Sequence, residues 1–258
     1  LKSPRLQDGS SSKYLLCEPR QLIIGQPKDA ARGLNWYLGI GDERAHEGLA
    51  HSLASLKREI ADFGTDEDKE CLHYILHEAA GSSDKFFSNG VRDRGRNGET
   101  IDDFVNHPNA RRSGLSLAHV VALRLYTTAA FKSINGPLRD LARIGPHPFP
   151  ITVILIKEAI GRLRTIGAEE SVQEEMILWR GMRDVAVTEE FVTNGGTEVA
   201  PMSTTSDINV ALEYSRSDSS LLFKIVTNSF MERGVDLSWL SAFPGEAERL
   251  YPPLTYLR

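Results

Sequence analysis

Glu246-Ala247-Glu248 sets two carboxylates two residues apart, introduced by Phe243-Pro244-Gly245 and followed by the strand-like run Arg249-Leu250-Tyr251-Pro252-Pro253. In an extended segment residues i and i+2 face one side roughly 6–7 Å apart, so both acids share a surface while Ala247 points away. Two acids at that separation can divide work across one substrate, one steadying positive charge and the other preparing a nucleophile. A solvated strand face produces the same spacing, and an isolated Glu-x-Glu is most often that.

Two upstream segments carry complementary chemistry. Leu178-Trp179-Arg180-Gly181-Met182 ends an apolar strand on an arginine backed by a glycine. A guanidinium offers two parallel donors to a phosphate, and a glycine beside it lets a ligand lie against backbone. Pro201-Met202-Ser203-Thr204-Thr205-Ser206 is a hydroxyl cluster leading into a helix through Val210, Ala211 and Tyr214. A serine hydroxyl can hold a carboxylate in one rotamer while touching a sugar hydroxyl. Each segment alone is a common structural feature.

The elements that must position these residues change in texture near Pro146-His147-Pro148-Phe149-Pro150. Before it, Leu49, Leu53, Leu56 and Ile60, and again Leu72, Ile75, Leu76 and Ala79, recur at helical spacing. Thr65 and Asp66 read as the start of the second helix, with Thr65 as N-cap, and Gly81 as its C-cap. Further helices are expected from about Ser116 to Leu125, across Tyr126 to Leu141, and over Val153 to Thr165. Asn89 to Asn97, rich in Gly and Asn and carrying Arg92, Arg94 and Arg96, reads as an exposed loop. Its arginines would be solvated or would face an acidic partner or phosphates. After the helix at Val153, the runs 176–180, 221–226, 234–237 and 246–251 suit strands, with a turn at Asn194-Gly195-Gly196. Helices in one half and strands in the other predict an α+β fold.

Composition narrows the classes. The 258 residues suffice for a substantial core, and 41% hydrophobic with 25% charged residues is ordinary for a globular protein. A net charge of −5 gives no whole-chain reason to expect nucleic-acid binding. Cys17 and Cys71 are too few for a disulfide framework, although a single bridge stays open. No run of 18 apolar residues occurs, so no membrane segment is expected in this chain. No Walker, Gly-x-Ser-x-Gly or His-Glu-x-x-His sequence is present. Gly39-Ile40-Gly41 begins like a dinucleotide fingerprint but lacks its third glycine and reads as a turn. Cys71, His73 and His77 share a helix, yet the local sequence offers no further zinc ligands, and no metal site is expected.

Taken in order, Arg180, Ser203 and Glu246-x-Glu248 resemble the Arg-Ser-Glu signature of the mono-ADP-ribosyltransferases, the family that contains clostridial-type binary toxins and arginine-modifying vertebrate enzymes. The resemblance extends to Tyr126-Thr127, Phe131, Asn135, Leu138 and Arg139 on the helix preceding that family's strand core, and it covers about Leu115 to Tyr256. One departure is visible: the usual Ser-Thr-Ser stands here as Ser203-Thr204-Thr205. The first hundred residues match no part of that family and read as a helical N-terminal portion, residues 1–100, that could dock a target, cover the cleft or support the core. The resemblance implies a split β-sandwich NAD-binding core of the ADP-ribosyltransferase fold over residues 101–258.

It further implies that NAD is the substrate and that Arg180 pairs with its phosphates or the nearby ribose. Gly181 would offer backbone groups to the carboxamide, and Thr204, Tyr126 and Asn135 would line the cleft. Ser203 would orient Glu248, Glu248 would bind the nicotinamide ribose, and Glu246 would receive the acceptor's proton. In this family Glu at the first position accompanies transfer to arginine, whereas Gln accompanies other acceptors. The expected partner is a protein acceptor, with no nucleic acid. Two alternatives stand beside this reading: an NAD glycohydrolase, in which water is the acceptor, and a catalytically silent protein-binding module. The chain begins at Leu1 and ends at Arg258 within a strand-like run, so a longer native protein is expected. The compartment stays open between cytoplasm and secreted effector.

Overall fold

The computed structural model describes residues 20–21, 33–40, 51–81, 92–140, 142–169 and 175–258. Strand β1 is Arg20–Gln21, followed by helices α1 (Gly33–Leu38), α2 (Leu53–Phe63) and α3 (Asp66–His77). Next come α4 (Ile101–Asn106), α5 (Pro108–Arg112), α6 (Leu117–Tyr126), α7 (Phe131–Arg139) and α8 (Pro150–Glu169). The strand-rich part holds β2 (Met176–Arg183), β3 (Val185–Ala186), α9 (Glu189–Asn194), β4 (Gly196–Glu198), β5 (Met202–Thr205) and α10 (Ile208–Ser215). It closes with β6 (Ser220–Thr227), β7 (Val235–Asp236), β8 (Glu248–Tyr251) and β9 (Thr255–Leu257). The fold is α+β, as the texture of the sequence predicts.

Local sequence explains the helices. Thr65 caps α3 by accepting from Asp68 N at 3.1 Å while the Asp68 carboxylate accepts from Thr65 N at 2.9 Å, a reciprocal capping box. The helix stops at His77, with Glu78 at its C-cap rather than Gly81. Helix α6 is apolar on nearly every side and is buried from Ala118 through Tyr126, as a helix at the centre of a core must be. It packs against α2, α3 and α8. Helix α8 presents its first amides to Glu59 of α2, whose carboxylate accepts from Ile151 N at 2.6 Å and Thr152 N at 2.9 Å. One cluster of buried apolar residues runs from Leu34 to Leu250, so the early helices share their core with the sheet.

The main sheet has five strands in the order β6-β2-β5-β8-β7, with every neighbouring pair antiparallel. Two-stranded pairs β4-β9 and β1-β3 accompany it. Leu49 and Cys17 lie outside the described residues; Cys71 is a free, buried thiol. His73 and His77 sit on the exposed side of α3.

The arginine-bearing loop departs from its expectation. Residues 89–91 lie outside the described residues and Arg94 is exposed, but Arg92 is buried and stacks over the Tyr74 ring. Arg96 is mostly buried as well, and between them Asp93 is wholly so. Asp93 accepts from Tyr74 Oη at 2.8 Å and from Arg124 Nη2 at 2.9 Å, and pairs with Arg96. Arg124 also donates to Leu240 O at 2.8 Å, and Arg96 donates to the Ser238 and Ser241 carbonyls. The backbone closes the same junction, with Asp93 N on Ala242 O and Ala242 N on Thr127 Oγ1. Charges that read as solvent-facing instead fasten residues 238–242, which lead into the Glu246 turn, to helix α6.

Candidate active site

Strands β2, β5 and β8 lie side by side in the sheet. Each contributes one residue of the sequence signature: Arg180, Ser203 and Glu248 respectively. In the β5–β8 register Ser203 faces Leu250 and Thr205 faces Glu248. Ser203 and Glu248 are therefore diagonal neighbours on one face of the sheet, within side-chain reach. Ser203 Oγ donates to Glu248 Oε1 at 2.7 Å, and the carboxylate is buried at 1% exposure. Arg180 is tied to the same serine, its Nη1 donating to Ser203 O at 2.8 Å.

Glu246 does not occupy an extended segment. Pro244–Glu246 forms a short 3-10 turn, Ala247 takes the left-handed conformation at φ 44°, and the strand begins only at Glu248. Proline at the first position of the turn explains the departure, since its fixed φ suits a helical start. The expected i, i+2 strand geometry is thus replaced by a turn that still delivers both carboxylates to one cleft. Thr205 Oγ1 donates to Glu246 O at 2.7 Å, and Tyr214 Oη lies 3.0 and 3.2 Å from the two Glu246 carboxylate oxygens.

That cleft has a volume of about 420 Å³, inside the range of ligand pockets, roughly 300–1,000 Å³. Its walls include Glu246, Glu248, Ser203, Thr204, Arg180, Gly181, Tyr126 and Asn135, the residues singled out from sequence. Their individual settings differ. Tyr126 is fully buried and donates to Pro201 O at 3.0 Å. Asn135 Nδ2 donates to Tyr126 Oη at 3.2 Å and to Pro201 O at 3.3 Å, leaving Oδ1 buried with no hydrogen-bond partner among the described residues. Burial, and after it the Glu248 charge, push the Tyr126 phenol up to about 12, so it serves as a donor. Thr204 commits its hydroxyl to Arg249 O at 3.0 Å.

Gly181 meets a backbone requirement of its own. A Cβ there would lie 1.8 Å from the Ala211 carbonyl oxygen and 2.9 Å from Ser215 N. Helix α10 therefore packs on β2 at a distance only glycine permits.

Glu198, at the end of β4, was not foreseen from sequence. It is 4% exposed and lines the cleft. Arg139 donates to it from Nε at 3.0 Å and Nη2 at 2.9 Å, and Arg180 Nη2 donates at 3.3 Å. Burial raises the Glu198 carboxyl, but the Arg139 and Arg180 guanidiniums outweigh that and hold it below the ordinary carboxylate value. Burial draws the Arg180 guanidinium down, with Glu198 opposing. Two cations on one carboxylate leave a net positive charge in the cleft that also holds Glu246 and Glu248, so the cleft can bind an anionic group and stabilise developing positive charge.

Among the described residues no group of three or more His, Cys, Asp or Glu side chains could hold a metal ion, and no helix is long and apolar enough to cross a membrane. No protein-family model matches the sequence, and no curated protein matches it in sequence. Solved structures do match in shape. A mutant of the eukaryotic mono-ADP-ribosyltransferase ART2.2 in complex with NAD has a TM-score of 0.52 at 17% identity, covering 84% of this chain and 83% of that one. The type III effector XopAI from Xanthomonas axonopodis pv. citri has a TM-score of 0.48 at 16% identity, covering 92% and 87%. A further ART2.2 crystal form has a TM-score of 0.44 at 16% identity, covering 92% and 81%. The fold is that of the mono-ADP-ribosyltransferases.

Proposed function

We propose that this protein transfers ADP-ribose from NAD to an arginine side chain of a protein acceptor and releases nicotinamide. The observation that carries the reading is the Ser203–Glu248 hydrogen bond of 2.7 Å on the central strands, with Arg180 held against the same serine. The NAD complex of the similar ART2.2 structure supports the choice of substrate. In this reading Arg180 binds the pyrophosphate, while Tyr126, Asn135, Gly181 and Thr204 line the site around the nicotinamide half.

Glu248 accepts a hydrogen bond from a hydroxyl of the nicotinamide ribose. The glycosidic bond between nicotinamide N1 and C1′ breaks, and its electron pair leaves with the ring, which becomes neutral nicotinamide. C1′ gains oxocarbenium character, and the Glu248 charge lowers that state more than it lowers bound NAD. A guanidinium nitrogen of the acceptor attacks C1′ to form the new C–N bond, and its proton passes to Glu246. Arginine needs such help because its guanidinium stays protonated in water. No acid is required for the leaving group, which is already cationic in NAD.

Glu248→Gln tests the reading. Nicotinamide release from NAD should fall at least about 100-fold while the unfolding transition stays near wild type. Release at the wild-type rate would remove Glu248 from the chemistry.

A further inference from the structure

Each acid of the pair receives a hydroxyl from a different element: Ser203 of β5 for Glu248, and Tyr214 of α10 for Glu246. We propose that Tyr214 is a positioning residue for Glu246 and sets how the ADP-ribosyl group partitions between an arginine acceptor and water, a proposal that rests on the transferase reading above.

The phenol stands 3.0 Å from Oε1 and 3.2 Å from Oε2, so its single proton straddles the carboxylate. A carboxylate offers about four lone-pair positions, and a proton shared between its two oxygens sits on the edge between them. The bond also limits rotation of the carboxylate, so the oxygen that must take the proton of an acceptor guanidinium keeps one position. Water attacking the same carbon makes no such demand on orientation. Loss of the phenol proton is therefore felt more by transfer than by hydrolysis.

The position of Tyr214 is over-determined. Gly181 lets α10 settle on β2, where any side chain would strike the Ala211 carbonyl. Thr205 joins helix and turn: its hydroxyl donates to Glu246 O at 2.7 Å and accepts from Asp207 N at 3.0 Å. Asp207 in turn caps α10, its carboxylate accepting from Asn209 N at 2.8 Å. The backbone carrying Glu246 and the helix carrying Tyr214 thus hang on one threonine. A phenol held this way does not have to be ordered when the acceptor arrives.

The test uses the full chain with NAD, with and without agmatine as a small guanidinium acceptor, measuring nicotinamide and ADP-ribosyl-agmatine together. In Tyr214→Phe the ratio of transfer to hydrolysis should fall about tenfold, the scale of one hydrogen bond to a charged group. In a Glu246→Gln background the same substitution should change the ratio by less than about twofold, because the partner it orients is gone. An unchanged ratio in Y214F, a parallel fall of both activities, or an undiminished effect in the double variant overturns the assignment. A wild-type chain that releases no nicotinamide overturns the transferase reading, and this assignment with it.

Discussion

Glu198 grips Arg139 through two near-parallel N–H bonds, of 3.0 and 2.9 Å, while Arg180 touches the same carboxylate at 3.3 Å. Arg139 keeps 36% of its side-chain surface in solvent but Arg180 only 11%, so Arg180 is the guanidinium that solvent can least compensate if Glu198 loses its charge. Glu198→Gln leaves that guanidinium buried without its counter-charge and should cost about 3 kcal/mol in urea unfolding. The pH dependence follows from the depressed carboxyl. A group whose folded value lies below its ordinary one, 4.5, contributes stability that is full above pH 4.5 and is lost as pH falls through the lower folded value. Wild type should therefore show an acid-labile component of stability below pH 4.5 that the variant lacks, measured as unfolding midpoint against pH.

The sequence disclosed residues whose role is local and concealed those whose role depends on a distant partner. Arg180 and Glu248 stand in runs that read as strands, whereas Ser203 reads only as part of a hydroxyl cluster before a helix; the β5–β8 register puts Ser203 and Glu248 on one face. Glu198 stands in an unremarked Gly-Thr-Glu, and its partner Arg139 lies 59 residues earlier. Gly and Asn neighbours predict a solvated Arg96, whereas its acceptors are carbonyls about 140 residues onward. The run that follows Glu246 predicts a strand from that residue onward. Proline at the first position of the turn and a left-handed Ala247 decide otherwise, and a positive φ at alanine leaves no mark in sequence.

Ser203→Ala separates orientation from charge. The substitution leaves Glu248 in place but removes the 2.7 Å donor that selects its rotamer. Nicotinamide release should fall about tenfold in kcat, because an aligned carboxylate is needed chiefly in the transition state. A larger change in KM for NAD than in kcat would instead make Ser203 mainly a binding residue.

Glu246→Gln should divide the two activities. Without a base, transfer to agmatine is expected to drop about 100-fold, within the range of general-base effects, while NAD cleavage to water persists at a measurable rate. The products are resolved by chromatography. Equal loss of both would mean that Glu246 serves NAD cleavage itself, and the arginine assignment would lose its support.

Arg124 carries the last expectation, because its charge is buried against Asp93 at 2.9 Å while a second donor holds Leu240 O at 2.8 Å. Arg124→Met keeps the bulk and removes the charge. Asp93 is then wholly buried with one strong cation fewer, and stability should fall by about 3 kcal/mol, as for any broken buried pair. Asp93→Asn added to it removes the uncompensated charge and should return part of the loss, the sign of coupling within one network. The single variant should also speed amide exchange in residues 238–243, since the carbonyls there lose a fastening to helix α6 and the segment opens more easily. Because that segment feeds the turn bearing Glu246, transfer to agmatine should weaken alongside the exchange; unchanged exchange with lowered stability would confine Arg124 to the core.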